Sequence, residues 1–307
     1  MKAVTAGSLA LLALAGASIA ADYLDQKLPG AAPEVFAPGI VSGSGQAHMA
    51  PAFSADGSEV FWLTHPVPPA AAAPDRALTS RRTAGQWSAP KASAFDGMVA
   101  IAPDGKQLFF SSARPCPGAA ADSEAEDIWV ADKTQGGWSA PQCLGLAARF
   151  PELKFATAMS VARNGTLYFL AHMAGTRFSI GIYRSRLAGG HYAKPEPLPG
   201  AINMAGALNW MPFISPDERF LLFASNRPGA LDTPVKGWPG GDIHISRQRA
   251  DGGGSDPVNL GPPVNSTVQE RLPGMTPDGR YLFFTRPVPG RDEEVFWVDA
   301  STIAALR

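Results

Sequence analysis

An all-β propeller of five four-stranded blades is predicted by three observations. A segment pattern recurs five times at intervals of 48 to 61 residues, Asp-Gly or Asn-Gly turns sit inside the repeats, and the two chain ends are complementary. Such a period belongs to propeller blades rather than to stacked helices. Composition agrees: 32 glycines and 29 prolines among 307 residues, with 45% apolar side chains, describe many tight turns between short strands rather than disorder.

The repeat is an apolar strand, a turn and an aromatic-rich strand. It reads MAPAFSADGSEVFWLTH, MVAIAPDGKQLFFSSAR, TAMSVARNGTLYFLAH, MPFISPDERFLLFASNR and LPGMTPDGRYLFFTR. The turn residues align at Asp56, Asp104, Asn164, Asp217 and Asp278. Asp-Gly and Asn-Gly supply the positive φ that a hairpin needs, so each segment predicts inner strands A and B. A third strand, C, follows as ALTSRR, DIWVADK, GIYRSRL, DIHISRQ and EVFWVDA. A fourth, D, follows as WSAPKAS, WSAPQCLG, YAKPEPLPG and SDPVNLGPP, where proline suits an outer edge. The fifth repeat stops after strand C, and PEVFAPGIVSG near the N-terminus reads as the missing D strand. Pairing the two closes the ring and removes exposed sheet edges.

The phrases SPDERFLLFASNRPG with GGDIHIS, and TPDGRYLFFTR, resemble the PD40 (WD40-like, TolB-type) repeat family over nearly the whole mature chain. The resemblance implies the propeller fold. It does not choose among the protein-interaction modules, sensors, lyases and hydrolases built on propellers.

Residues 1–20 read as a secretory signal: Lys2, an apolar run from Leu9 to Ala17, and small residues Ser18 and Ala20 before a cut after Ala20 or Ala21. Residues 21–307 are then one propeller domain, periplasmic or secreted, and no later run reaches the roughly 18 apolar residues of a membrane span. Cys116 and Cys143 fit one disulfide in that oxidising compartment. Lys plus Arg number 26 against 27 Asp plus Glu, a balance that argues against a nucleic-acid partner. A monomer that engages a protein or glycan of the cell envelope is expected.

Eight positions before each turn residue stand His48, Asp96, Ala156, Asn209 and Glu270, where the innermost strand opens onto one end of the central channel. Ring closure puts Glu270, His48 and Asp96 on three consecutive blades. This predicts a divalent-cation site or an acid/base set for a glycosidic bond, with Asp96, Glu270 and His48 as candidate catalytic residues. A water-lined channel with each polar group satisfied by a neighbour is the competing reading. No other cofactor is expected.

At the end of strand B stand His65, Arg114, His172, Arg227 and Arg286. Acids opening strand C predict ion pairs Arg114–Asp127, Arg227–Asp242 and Arg286–Glu294, whereas blades 1 and 3 offer Ala77 and Gly181. His65 and His172 therefore read as unpaired and available to a ligand. Trp87, Trp138 and Tyr192 read as packing between blades, and Trp210 and Trp238 as better placed to touch a ligand. Asp251 and Asp256 flank a GGGS turn. No nucleophile elbow, phosphate loop, CxxC or HExxH is present, which removes the common serine hydrolases, nucleotide enzymes and the commonest zinc sites. The leading expectation is a binding module using His48, Asp96, Asn209, Glu270, His65, His172 and Trp210. The alternative is an envelope glycan hydrolase or lyase.

Overall fold

A computed structural model describes residues 23–43, 46–48, 50–66, 75–117, 126–176, 180–231, 240–249, 254–289 and 293–307. The signal segment, Trp238 and Asp251 lie outside the described residues, as does the side chain of His48. Five antiparallel sheets form a closed propeller. Blade 1 comprises strand A (Gln46–His48 and Ala52–Phe53), B (Glu59–Pro66), C (Arg76–Thr83) and D (Lys91–Ala92). Blade 2 comprises Val99–Ile101, Gln107–Ser112, Asp127–Thr134 and Gln142–Cys143 in the same order. Blade 3 comprises Leu153–Val161, Leu167–Met173, Ile180–Ser185 and Glu196–Pro197. Blade 4 comprises Asn209–Ile214, Phe220–Ser225, Asp242–Arg247 and Val258–Asn259. Blade 5 takes Arg271–Met275, Tyr281–Pro287 and Glu293–Asp299 from the C-terminal repeat and Glu34–Val35 from the N-terminal segment.

Ring closure follows the sequence-based expectation. Glu34 faces Trp297 and Val35 faces Phe296. A shared grammar shows why this segment is a D strand. Proline precedes the two-residue strand in every blade (Pro33, Pro90, Pro141, Pro195, Pro257). The residue after the strand then donates its backbone N–H to strand C: Phe36 to Val295 (2.8 Å), Ser93 to Ala77 (2.8 Å), Leu144 to Ile128 (2.9 Å), Leu198 to Ile182 (2.9 Å) and Leu260 to Ile243 (3.0 Å). Proline costs nothing there because the position has no outer neighbour to receive an N–H.

The core is five seams, one between each pair of neighbouring blades. Period-two alternation sends consecutive aromatics to opposite seams: Phe109 packs toward blade 3 and Phe110 toward blade 1. Phe283 and Phe284 divide in the same way between blades 1 and 4. Trp87, Trp138 and Tyr192 lie at the C–D turn rather than in strand D, on short extensions of the sheet. They still serve packing between blades: Trp87 packs against the cluster that blade 1 shares with Phe283 and Trp297 of blade 5, Tyr192 meets Phe109 of blade 2 at 6.4 Å, and Trp138 Nε1 donates to Glu59 of blade 1 at 3.0 Å.

The A–B turns are built by side chains. Ser54 Oγ donates to Asp56 at 2.6 Å and accepts from Glu59 N, while Gly57, at φ 68°, bonds back to Ser54 O. Ser215 with Asp217 and Thr276 with Asp278 repeat this lock. Blade 4 has Glu218 where the others have glycine. Its φ of 58° is held in place by bonds of 2.7 Å from Tyr168 Oη and Asn164 Nδ2 of blade 3. Cys116 and Cys143 form the expected disulfide, with Cα atoms 5.6 Å apart. No helix among the described residues is long and apolar enough to cross a membrane.

Candidate functional site

The end of the propeller where strand A opens carries most of the residues selected from sequence, and it pairs them differently from expectation. Arg114, Arg227 and Arg286 do not bond Asp127, Asp242 and Glu294. Each instead reaches across its blade to the residue opening strand A. Arg114 grips Asp96 with two nitrogens (3.1 and 3.0 Å). Arg227 Nη2 donates to Asn209 Oδ1 at 3.0 Å, and Arg286 Nε donates to Glu270 Oε1 at 2.8 Å. Each guanidinium also donates to backbone carbonyls of the D–A connection: Ala94 in blade 2, Ala201 and Ile202 in blade 4, Pro263 and Val264 in blade 5. In blades 2, 4 and 5 the two polar sets thus form one recurrent staple that pins the D–A loop to the blade. The acids opening strand C have other work: Asp127 accepts from Ala147 N (2.9 Å), and Asp242 from Leu231 N (2.7 Å).

Register explains the discrepancy in blades 2 and 4, whereas in blade 5 Arg286 does face Glu294 and only its guanidinium turns away. Ser112 faces Asp127 and Ser225 faces Asp242, so Arg114 and Arg227 lie two residues beyond the facing position. Those serines reinforce the staple, Ser112 to Asp96 and Ser225 to Asn209, at 2.9 and 2.8 Å. The residues equivalent to the acids in blades 1 and 3 are Arg76 and Ile180, facing Thr64 and His172, one position before Ala77 and Gly181.

The environments diverge. Asp96 is exposed, Asn209 is buried, and Glu270 has no exposed surface. Burial pushes the Glu270 carboxyl up to about 7, while Ser266 and Arg286 partly oppose the shift. His65 is exposed and is paired after all, Nδ1 lying 2.5 Å from Asp75 Oδ1 just before strand C. His172 is half-buried, edge-on to Phe155 at 5.9 Å. Trp210 is buried against Gly241. Asp96 and Glu270 each spend their carboxylate within their own blade. The single group of three metal-ligating side chains among the described residues is Cys116, Asp127 and Cys143, whose sulfurs are joined to each other.

Around these staples the same face exposes aliphatic side chains. Ile180, Met204, Leu208 and Leu231 are 52%, 40%, 43% and 47% exposed. The polar network positions them. Asn203 bridges to Ile182 N and O, drawing Met204 toward strand C of blade 3. Asn209 Nδ2 donates to Met204 O and Ala207 O, and Asn226 Oδ1 accepts from Leu208 N.

The central channel holds a cavity of about 840 Å³ toward the A–B turns. Its walls are the middle of each strand A, including Phe53, Ile101, Met159, Phe213 and Met275, and its turn-side mouth carries Arg163, Arg219 and Arg280. None of the residues selected from sequence lines it. The signal for its mouth was present as basic residues two places after the turn aspartate, at Arg219 and Arg280.

Closed ring, five seams and strand grammar define a five-bladed β-propeller. No protein-family model matches the chain, and no curated protein sequence does. Solved structures do. A glycoside hydrolase shares 10% identity over 90% of this chain and 92% of its own, with a TM-score of 0.51. A putative TolB from Agrobacterium tumefaciens shares 18% over 83% and 77%, with a TM-score of 0.48. A periplasmic gluconolactonase from Pseudomonas aeruginosa shares 15% over 83% and 69%, with a TM-score of 0.42. At such identities the likeness is one of fold.

Proposed function

We propose that the protein is an exported PD40-type propeller, residues 21–307 after a signal of residues 1–20, that binds a protein partner of the cell envelope. Docking uses the end where strand A opens, at blades 3 and 4. The observation that carries this reading is the set of exposed aliphatic side chains Ile180, Met204, Leu208 and Leu231, on backbone tied down by Asn203, Asn209, Asn226 and Asp242. Exposed apolar side chains gathered on a rigid frame and bordered by polar groups suit protein docking. His172, beside Ile180 across the strand pair, falls at the border of this surface. Asp96, Asn209 and Glu270 then act as loop anchors rather than contacts. The hydrolytic alternative requires Glu270 to meet substrate, and its full burial under Arg286 and Ser266 favours the anchoring role.

Photo-cross-linking from Leu208 and Leu231 in the native cell envelope tests the proposal, with Lys91 on the outer strand of blade 1 as control. A discrete protein adduct from both leucines and none from Lys91 supports it. No adduct, or the same adducts from all three positions, overturns it.

A further inference from the structure

The cavity at the opposite end of the channel is independent of that docking face and has a chemistry of its own. Here Val99, Ile101, Met211, Phe213 and Met275 are only half-buried, although all line the 840 Å³ space. That volume lies within the range of small-molecule sites, which are mostly apolar with a few placed polar groups.

The walls also carry backbone strain. Ala158, Met211 and Leu272, each six residues before its turn residue, adopt φ of 49°, 56° and 51°. The A–B ladder skips a pair of residues at each of these points: Ala158 and Met159, Met211 and Pro212, Leu272 and Pro273. Non-glycine residues in this conformation are strained and cluster at ligand sites. Bulges of this kind re-aim side chains beside such sites.

The turn-side mouth carries Arg163, Arg219, Arg280 and Arg307 together with Asp217, Asp278 and Asp299, and its guanidinium groups are not all paired with these acids. Arg219 is committed to Asp217 of its own turn at 2.5 Å. Asp278 accepts from Thr276 Oγ1 and Arg280 N, and Asp299 from Ser301 N, so these acids are turned into their own loops. Among the described residues, Arg163 of blade 3 and Arg280 of blade 5 flank the mouth without an acidic partner, and Arg280 lies over the Tyr281 ring at 5.4 Å.

We infer that the channel binds an amphiphilic organic anion, a carboxylate or phosphate on an apolar body. The body occupies the half-buried walls, and the head group meets Arg163 and Arg280. A fork of guanidinium donors suits either head group.

Calorimetric titration of the full chain with decanoate, decyl phosphate and decanol tests this, and the first two probes separate carboxylate from phosphate recognition. Saturable binding of at least one anion is expected, with decanol weaker by about tenfold or more, since one charge-assisted contact is worth about that factor. The Arg163→Gln/Arg280→Gln double variant should weaken anion binding by at least about tenfold on the same grounds. Gly274→Phe should abolish it. An added Cβ there meets Ala50 Cβ alone, at 3.6 Å, so the ring extends into the channel. If the plugged variant does not fold by circular dichroism, the exposed arginine pair still decides the matter. No anion binding up to about 1 mM, equal binding of decanol, or unchanged affinity in either folded variant overturns the inference.

Discussion

Arg286 faces Glu294 across the B–C strand pair, yet its guanidinium turns the other way and bonds Glu270 at 2.8 Å. Facing positions in an antiparallel pair fix where two Cα atoms stand. A long side chain then goes where acceptors converge. Here Glu270, Pro263 O and Val264 O together satisfy three donors.

Glu270 and His244 should titrate stability in opposite senses. Unfolded, Glu270 loses its proton near its ordinary 4.5; folded, burial holds the proton to about 7. The native state binds the extra proton in between, so this contribution is lost as pH rises through that window, by on the order of 3 kcal/mol. His244, buried and stacked on Phe223, has its pKa pushed down from 6.5 to about 4. Its contribution is present above 6.5 and lost as pH falls toward 4, by a similar order. Urea melts between these limits should show a flat wild-type profile, stability rising with pH in Glu270→Gln and falling with pH in His244→Gln. Parallel profiles for all three proteins would contradict the assignment.

Arg227 is buried, lies 4.9 Å over the Phe223 ring and donates to Ser225, Ala201, Ile202 and Asn209. Arg227→Lys should cost about 2–3 kcal/mol, because an ammonium cannot span that planar set and buried acceptors go unmet. Denaturant midpoints measure it, and a loss below about 0.5 kcal/mol would deny the staple its structural role.

Gly97 sits where a Cβ would fall 1.9 Å from Ser111 O, a backbone atom that cannot move aside alone. Gly97→Ala should destabilise by about 2–3 kcal/mol. Gly136→Ala, with nothing within 4 Å, should stay within about 0.5 kcal/mol of wild type. Thermal melts of the two variants check the contrast.

Phe36 is fully buried between Phe53, Phe283 and Trp297 at the seam where the ring closes. Phe36→Ala should cost about 3–5 kcal/mol. The seam between blades 5 and 1 should then gain hydrogen-exchange lability ahead of the other four; uniform protection would show that closure is not its role.

Replacing Cys116 and Cys143 by serine opens a link spanning 27 residues. The expected loss is about 2–4 kcal/mol, read as a lowered melting temperature under oxidising conditions that dithiothreitol reproduces in the wild type. An unchanged melting temperature in the variant would show that the bridge contributes nothing to the fold.

Blade count, strand order and ring closure were legible in the chain because they depend on local, repeated chemistry. Asp-Gly turns set the hairpins, alternating aromatics such as Phe109 and Phe110 feed adjacent seams, and Pro33 marks the N-terminal segment as one more outer strand. The polar residues of the strand-A end were also legible as a set. Their partners were not, since Arg114, Arg227 and Arg286 are flexible enough to reach strand A or strand C from one backbone position. Burial divided them further, leaving Asp96 in solvent and Glu270 under protein. The cavity near the turns belonged wholly to the tertiary level. Its space depends on how five inner strands, three of them bulged at Ala158, Met211 and Leu272, stand around one axis, an arrangement that no single repeat encodes.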